Sequence, residues 1–176
     1  MIVLEMGELH QAIIMLGGNV GDTICIFESA KRWLHRSSCR VTSQSMYYRS
    51  KPWAFEHQRD FINQLLVLET EMKVEGFHEL CKSIEKKHGK MKLFVNGPRS
   101  LDIDILFFDD LILQTEPLTI PHPRLHLRLF NLVPLKEAVP DWVHPELKQT
   151  VSELCANCTD ITPLKSIPLA HHVYRS

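Results

Sequence analysis

An α+β fold, an antiparallel sheet with helices on one face and a carboxy-terminal extension, is what the hydrophobic patterning of this chain predicts. Three observations carry it. Short β-type apolar runs recur four times, two stretches of helical spacing lie among them, and turn-forming residues punctuate the joins. In order these read β-α-β-β-α-β, the order of a ferredoxin-like layer whose second sheet face is left to build a site.

Residues 12–16 form a continuous apolar run that stops at Gly17, Gly18 and Asn19, a buried strand entering a turn. Asp22 supplies a side-chain cap for a helix through residue 35, where Ile26, Ala30, Trp33 and Leu34 make an apolar stripe. β-Branched and aromatic residues return over 41–49 as a second strand. Residues 50–60 carry Pro52 and no period and read as a loop, and 61–71 give a third strand. The spacing of Phe77, Leu80, Cys81 and Ile84 predicts a helix over 76–88 with Gly89 as its carboxy-terminal cap. Residues 90–96 read as a loop hinged at Gly89 and Gly97, and 101–108 as the fourth strand. After a turn at Asp109 and Asp110, prolines mark an irregular stretch. A last amphipathic helix is expected over 145–154, and the tail after Thr159 shows no pattern.

At 176 residues the chain reads as one domain over 1–176, with its core at about 12–145 and a tail at 159–176. With 23% charged residues and a net charge of -1, the overall field is near neutral and gives no case for nucleic acid or a membrane surface. No apolar run reaches the roughly 18 residues of a membrane span, and the first residues lack a basic start and long apolar stretch, so a cytoplasmic protein is expected. The cysteines Cys25, Cys39, Cys81, Cys155 and Cys158 are odd in number and scattered, as suits reduced thiols. Cys155, Cys158, His171 and His172 lack the compact paired spacing of a structural zinc site, and paired free thiols are the preferred reading.

Within 101–108, strand alternation puts Asp102 and Asp104 on one face beside Leu106 and Phe108, and Leu101, Ile103, Ile105 and Phe107 on the other. Two carboxylates roughly 7 Å apart by that spacing repel unless a cation bridges them. Oxygen ligation suits magnesium, whose shell is completed by water and phosphate oxygens, and Arg99 could meet a phosphate with its planar fork. A half-exposed strand whose carboxylates face water shows the same pattern. The run from Gly17 to Asp22 lacks both P-loop and dinucleotide-fold spacing, so a tight turn and direct ligand contact both fit. His122, held between Pro121 and Pro123, lies near Arg124 and Arg128, a cluster of donors for a polyphosphate. Phe61 and Phe130 suit either a core or the two faces of a slot for a flat heterocycle, where ring stacking adds about 1 kcal/mol beyond burial. Asn63 shares a strand face with Phe61 and offers a donor and an acceptor to a ring edge.

Five blocks now stand in order: Leu16 to Asp22, Tyr48 to Trp53, Gln58 to Asn63, Gly97 to Asp104, and Pro121 to Phe130. Together, over about residues 12–145, they closely resemble the family of 6-hydroxymethyl-7,8-dihydropterin pyrophosphokinases. The resemblance implies transfer of the pyrophosphoryl group of ATP to the pterin hydroxymethyl oxygen, leaving AMP, in folate biosynthesis, by a monomer. It implies that Asp102 and Asp104 bind two magnesium ions that neutralise the triphosphate and orient it for in-line attack, with Lys90 and Arg99 as the basic catalytic residues. Gly17, Ser50, Pro52, Trp53, Phe61, Asn63 and Phe130 would hold the pterin. Glu85, Lys92, Arg99, Ile105, Thr119, His122 and Arg128 would line the ATP site.

The chain departs from the family pattern at three places. Lys90 and Lys92 stand where two arginines are usual, which keeps the charge and loses the bidentate fork. Asn96, preceded by Val95, stands where a tryptophan usually precedes the Gly97-Pro98-Arg99 block, with Leu93 and Phe94 as apolar substitutes. The expectation is a working metal and pterin site with slower turnover than a typical member. The rival is a non-catalytic or weakly active pterin- or nucleotide-binding homologue with an altered loop.

Overall fold

A computed structural model of the chain describes residues 7–52, 58–89 and 97–168. The elements run β1 (His10–Gly18), α1 (Thr23–Arg36), β2 (Cys39–Gln44), β3 (Tyr47–Ser50), β4 (Phe61–Thr70), α2 (Val74–Lys87), β5 (Asp102–Phe108), β6 (Leu113–Gln114), β7 (Thr119–Ile120), α3 (Leu129–Ala138), α4 (Val151–Asn157) and β8 (Leu164–Ile167). The main sheet is antiparallel in the order β5-β1-β4-β3-β8, with β2 also paired to β4. This is the expected α+β class.

The amphipathic helices form where the periodicity places them. Asp22 Oδ1 accepts the Cys25 N–H at 3.1 Å and caps α1. Gly89, at φ 73°, takes the left-handed conformation that ends α2. Phe27, Ala30 and Leu34 of α1 and Phe77, Cys81 and Ile84 of α2 pack on Ala12, Ile14, Leu16, Leu66 and Leu68 to form one core. A second core on the opposite face joins Ile13, Met15, Leu65 and Val67 to Leu132 and Leu135 of α3 and Val151 and Leu154 of α4. The second face is therefore roofed at one end and open at the other.

Several expectations need correction. The single strand expected over 41–49 is two, β2 and β3. Ser45 interrupts them, almost fully buried, with its amide donating to the Leu65 carbonyl (3.1 Å) and its hydroxyl accepting the Leu65 N–H (3.0 Å). The strict alternation assigned to β5 fails near its end. Ile13 pairs with Phe107 and Ile14 with Ile105, so Leu106 is an extra residue, a bulge that turns Phe107 into the second core and Phe108 into the first. Helix α3 lies in the stretch read as irregular, because Pro134 inside it reads as a breaker and its apolar residues surround it rather than forming a stripe. The helix expected over 145–154 begins only at Val151. There Thr150 and Glu153 form a capping box, whereas Lys148 sits at φ 56°, outside helical geometry. The tail read as patternless contains β8, whose Leu164 pairs with Ser50.

Candidate active site

The open end of the second sheet face is floored by two cross-strand rows. Asp102, Gly17, Asn63 and Tyr48 are successive partners across β5, β1, β4 and β3, and Asp104, Met15 and Leu65 form the next row. A cleft of about 110 Å³ sits on this floor, lined by Gly17, Ser50, Phe61, Asn63, Arg99, Asp102, Asp104, Arg128 and Phe130, all expected site residues. Asn63 is buried and donates through Nδ2 to Ser50 Oγ at 2.9 Å. A Cβ at Gly17 would stand 3.3 Å from the Asn63 Oδ1, so glycine leaves room beside that acceptor.

The loop that brings Arg99 in is held by contacts only small or amide residues permit. A Cβ at Gly18 would meet the Ser100 carbonyl oxygen at 2.4 Å. The Asn19 and Val20 amides donate to the Arg99 carbonyl at 2.9 and 3.2 Å, and the Arg99 amide donates to Asn19 Oδ1 at 2.9 Å. Asn19 Nδ2 also reaches Gln58 Oε1 and the Arg59 carbonyl, both at 3.1 Å, so one side chain ties three segments together. Arg99 Nη1 lies 3.2 Å from Asp102 Oδ2, and its guanidinium stands 5.1 Å from the centroid of the Phe61 ring.

Asp104 is the most perturbed carboxyl of the site. Burial and the neighbouring Asp102 charge push it up to about 7, against the opposing pull of Lys82 and Arg99. A pair of carboxylates in this condition fits a hard divalent cation, because such an ion reverses the repulsion that protonation otherwise relieves. Among the described residues no cluster of three or more His, Cys, Asp or Glu side chains forms a closed metal site.

Asp104 is shared with a second cleft of about 270 Å³, lined by Ile105, Thr119 and His122 as expected, together with His78, Lys82, Leu118 and Pro123. The β5 bulge positions His122, whose amide donates to the Leu106 carbonyl at 3.0 Å. The Arg124 N–H lies 3.3 Å from His122 Nδ1, which must accept, and burial and the Arg124 charge hold the imidazole below its usual pKa. Glu85 lines neither cleft. It is buried behind β5, accepts the Ile103 N–H at 2.8 Å and pairs with Lys82 at 3.1 Å. Arg128, expected with the nucleotide, lines the first cleft beside Phe130, and Pro52 lines neither. Trp53, Lys90 and Lys92, and with them Val95 and Asn96, lie outside the described residues. So do His171 and His172, while Cys155 and Cys158 are free thiols.

Sequence reasoning missed Met15, Lys51, Asp160 and Thr162 in the first cleft and His78 and Lys82 in the second. The i, i+4 spacing of His78 and Lys82 on one helix was a usable signal. Asp160 and Thr162 follow α4 in an irregular segment and carried none.

The model of the 7,8-dihydro-6-hydroxymethylpterin-pyrophosphokinase family matches residues 13–140. The chain is 35% identical over 160 residues to the 2-amino-4-hydroxy-6-hydroxymethyldihydropteridine pyrophosphokinase of Synechocystis sp., covering 89% of this chain and 82% of that one. It is 34% identical to the enzyme of the same name from Haemophilus influenzae, covering 89% of this chain and 98% of that one. Folic acid synthesis protein FOL1 of Dictyostelium discoideum, 34% identical over 88% of this chain, is far longer, and the match spans 23% of it. Among solved structures, Plasmodium falciparum HPPK-DHPS with pteroate shares the fold at a TM-score of 0.69 and 15% identity, over 88% of this chain and 43% of that one. With nearly three quarters of its length inside the family model and its first cleft built mainly from the blocks that carry the resemblance, the chain belongs to the 7,8-dihydro-6-hydroxymethylpterin-pyrophosphokinase family.

Proposed function

We propose that this chain transfers the pyrophosphoryl group of ATP to the hydroxymethyl oxygen of 6-hydroxymethyl-7,8-dihydropterin, releasing AMP, in folate biosynthesis. The observation that carries the reading is the meeting of two unlike clefts at one carboxylate, Asp104. One has aromatic walls and a buried amide, the other is lined by Lys82, His78 and His122, and Asp104 borders both. A flat heterocycle suits the first and a polyphosphate the second.

In this reading Phe61 and Phe130 contact the faces of the pterin while Asn63 and the Ser50 region read its edge. Arg99 leaves the Phe61 ring to meet a phosphate oxygen, and His122 donates through Nε2, its Nδ1 being engaged by the Arg124 amide. The pterin oxygen forms a bond to the β-phosphorus as the bond from that phosphorus to the α,β-bridging oxygen breaks. AMP departs with the bridging oxygen and the hydroxyl proton is lost to water. Asp102 and Asp104 would hold magnesium, which would neutralise charge on the triphosphate. Every residue invoked comes from this one chain, so the reading needs only a monomer.

AMP release from ATP and magnesium, measured with and without 6-hydroxymethyl-7,8-dihydropterin, tests the proposal. Pterin-dependent AMP is expected, lost by at least about 100-fold in Asp102→Asn and Asp104→Asn with the fold intact. Binding of pterin without AMP release would replace the enzyme by a binding protein, and full activity in either variant would remove the metal assignment.

A further inference from the structure

Helix α3 begins at Leu129 without a cap of its own, since the preceding Arg128 makes no side-chain capping bond. The acceptor comes from 31 residues away. Asp160 Oδ2 accepts the Leu129 N–H at 3.1 Å, while Oδ1 accepts the Thr162 amide at 2.9 Å and its hydroxyl at 2.6 Å. Leu129 is the residue between Arg128 and Phe130, so the bond pins the peptide that joins two cleft residues. Both Asp160 and Thr162 line the same cleft, whereas Ile161 between them is 93% exposed. The segment is held at each end, by Leu154 of α4 in the second core and by Leu164 of β8 paired to Ser50. The far end of α3 has its own carboxylate tether, Glu137, which accepts the Tyr48 hydroxyl at 2.8 Å and the Met46 N–H at 3.1 Å. Burial opposes ionisation of Asp160, yet the Thr162 and Leu129 donors and the Arg128 charge keep it below the usual carboxylate range.

We infer that Asp160 is a positioning residue for the heterocycle subsite: it caps α3 from the carboxy-terminal segment and so sets where Phe130 stands in the cleft. The inference rests on the pterin reading above. An aromatic wall contributes stacking only within a narrow range of offset, and Phe130 sits in the first turn of α3, where an unsatisfied terminus frays. Residues 158–167, beyond the stretch matched by the family model, are on this account part of the substrate site.

The test is a set of pterin affinities on the full chain, read by ligand fluorescence without turnover. Asp160→Ala is expected to weaken 6-hydroxymethyl-7,8-dihydropterin binding about tenfold, a size set by the loss of a helix cap and the freedom it gives the ring. Asp160→Asn keeps an oxygen acceptor and is expected within about threefold of the parent chain, because asparagine caps as well as aspartate. Asp160→Ala combined with Phe130→Ala is expected to bind no more weakly than Phe130→Ala alone, since the cap acts through that ring. Additive losses in the double variant, or unchanged affinity in a folded Asp160→Ala, would overturn the inference. If the parent chain fails to bind the pterin, the functional reading itself falls, which separates the two failures.

Discussion

Asp104 illustrates how a functional side chain is placed at a cost to stability. Its folded pKa stands above the ordinary aspartate value of 3.8, so the folded state binds the proton more tightly than the unfolded one. The stability it contributes is complete below pH 3.8 and is lost as pH rises through about 7. Asp104→Asn is therefore expected to raise the melting temperature of the ligand-free protein by about 2–6 °C at pH 8 and to change it little at pH 4. Thermal melts at the two pH values check this, and an equal shift at both would show that burial of the ionised carboxylate is not the cause. Gly18 makes the complementary point. Gly18→Ala would put its Cβ 2.4 Å from the Ser100 carbonyl oxygen and force the two backbone segments apart, with an expected loss of about 1–3 kcal/mol in chemical denaturation. The displaced Arg99 should lower turnover as well. Glycine at 18 was legible as punctuation, but the partner that demands it, 82 residues on, was not.

At the scale of elements, local chemistry set what formed and tertiary contacts set where it ended. The Asp22 cap, the Gly89 terminus and the two apolar stripes were readable because each is a short-range pattern. The start of α4 follows its Thr150–Glu153 box, and Thr150→Ala is expected to cost about 1 kcal/mol, or about 2–4 °C, without altering pterin affinity. A melt and a binding titration on that variant check both halves. Helix α3 was hidden because Pro134 argues against it locally. It forms nonetheless, with Leu132 and Leu135 buried in the second core, its first turn capped by Asp160 from the tail and its own Glu137 bonded to Tyr48 of β3. The β5 bulge was equally invisible. Nothing in Leu106 or Phe107 announces a register change, which is created by pairing with Ile13 and Ile14.

Across the molecule, the two clefts make stability depend on ligands. Anything that binds only the folded state stabilises it by mass action, and ligand at 100 times its dissociation constant adds about 2.7 kcal/mol. Magnesium, a non-hydrolysable ATP analogue and the pterin together are expected to raise the melting temperature by roughly 5–10 °C. His122→Ala, which alters the second cleft alone, should reduce the nucleotide part of that shift and leave the pterin part. Loss of both, or of neither, would mean the clefts are not divided as proposed.

By itself, the sequence determined the α+β class, the helix caps, the placement of Asp102 and Asp104 on one face, and the ordered blocks that match the family. These rest on spacings of two to four residues, or on motifs whose order survives translation into any fold. Tertiary structure alone decided that Arg99 stands over Phe61, that Asp104 borders two clefts, that Glu85 supports β5 instead of lining one, and that Asp160 closes the site from the tail. The contacts of Glu85 with Ile103, Asp160 with Leu129 and Arg99 with Phe61 join residues 18, 31 and 38 positions apart, and their energies come from burial and hydrogen-bond geometry that exist only once the sheet has paired and both of its faces are packed.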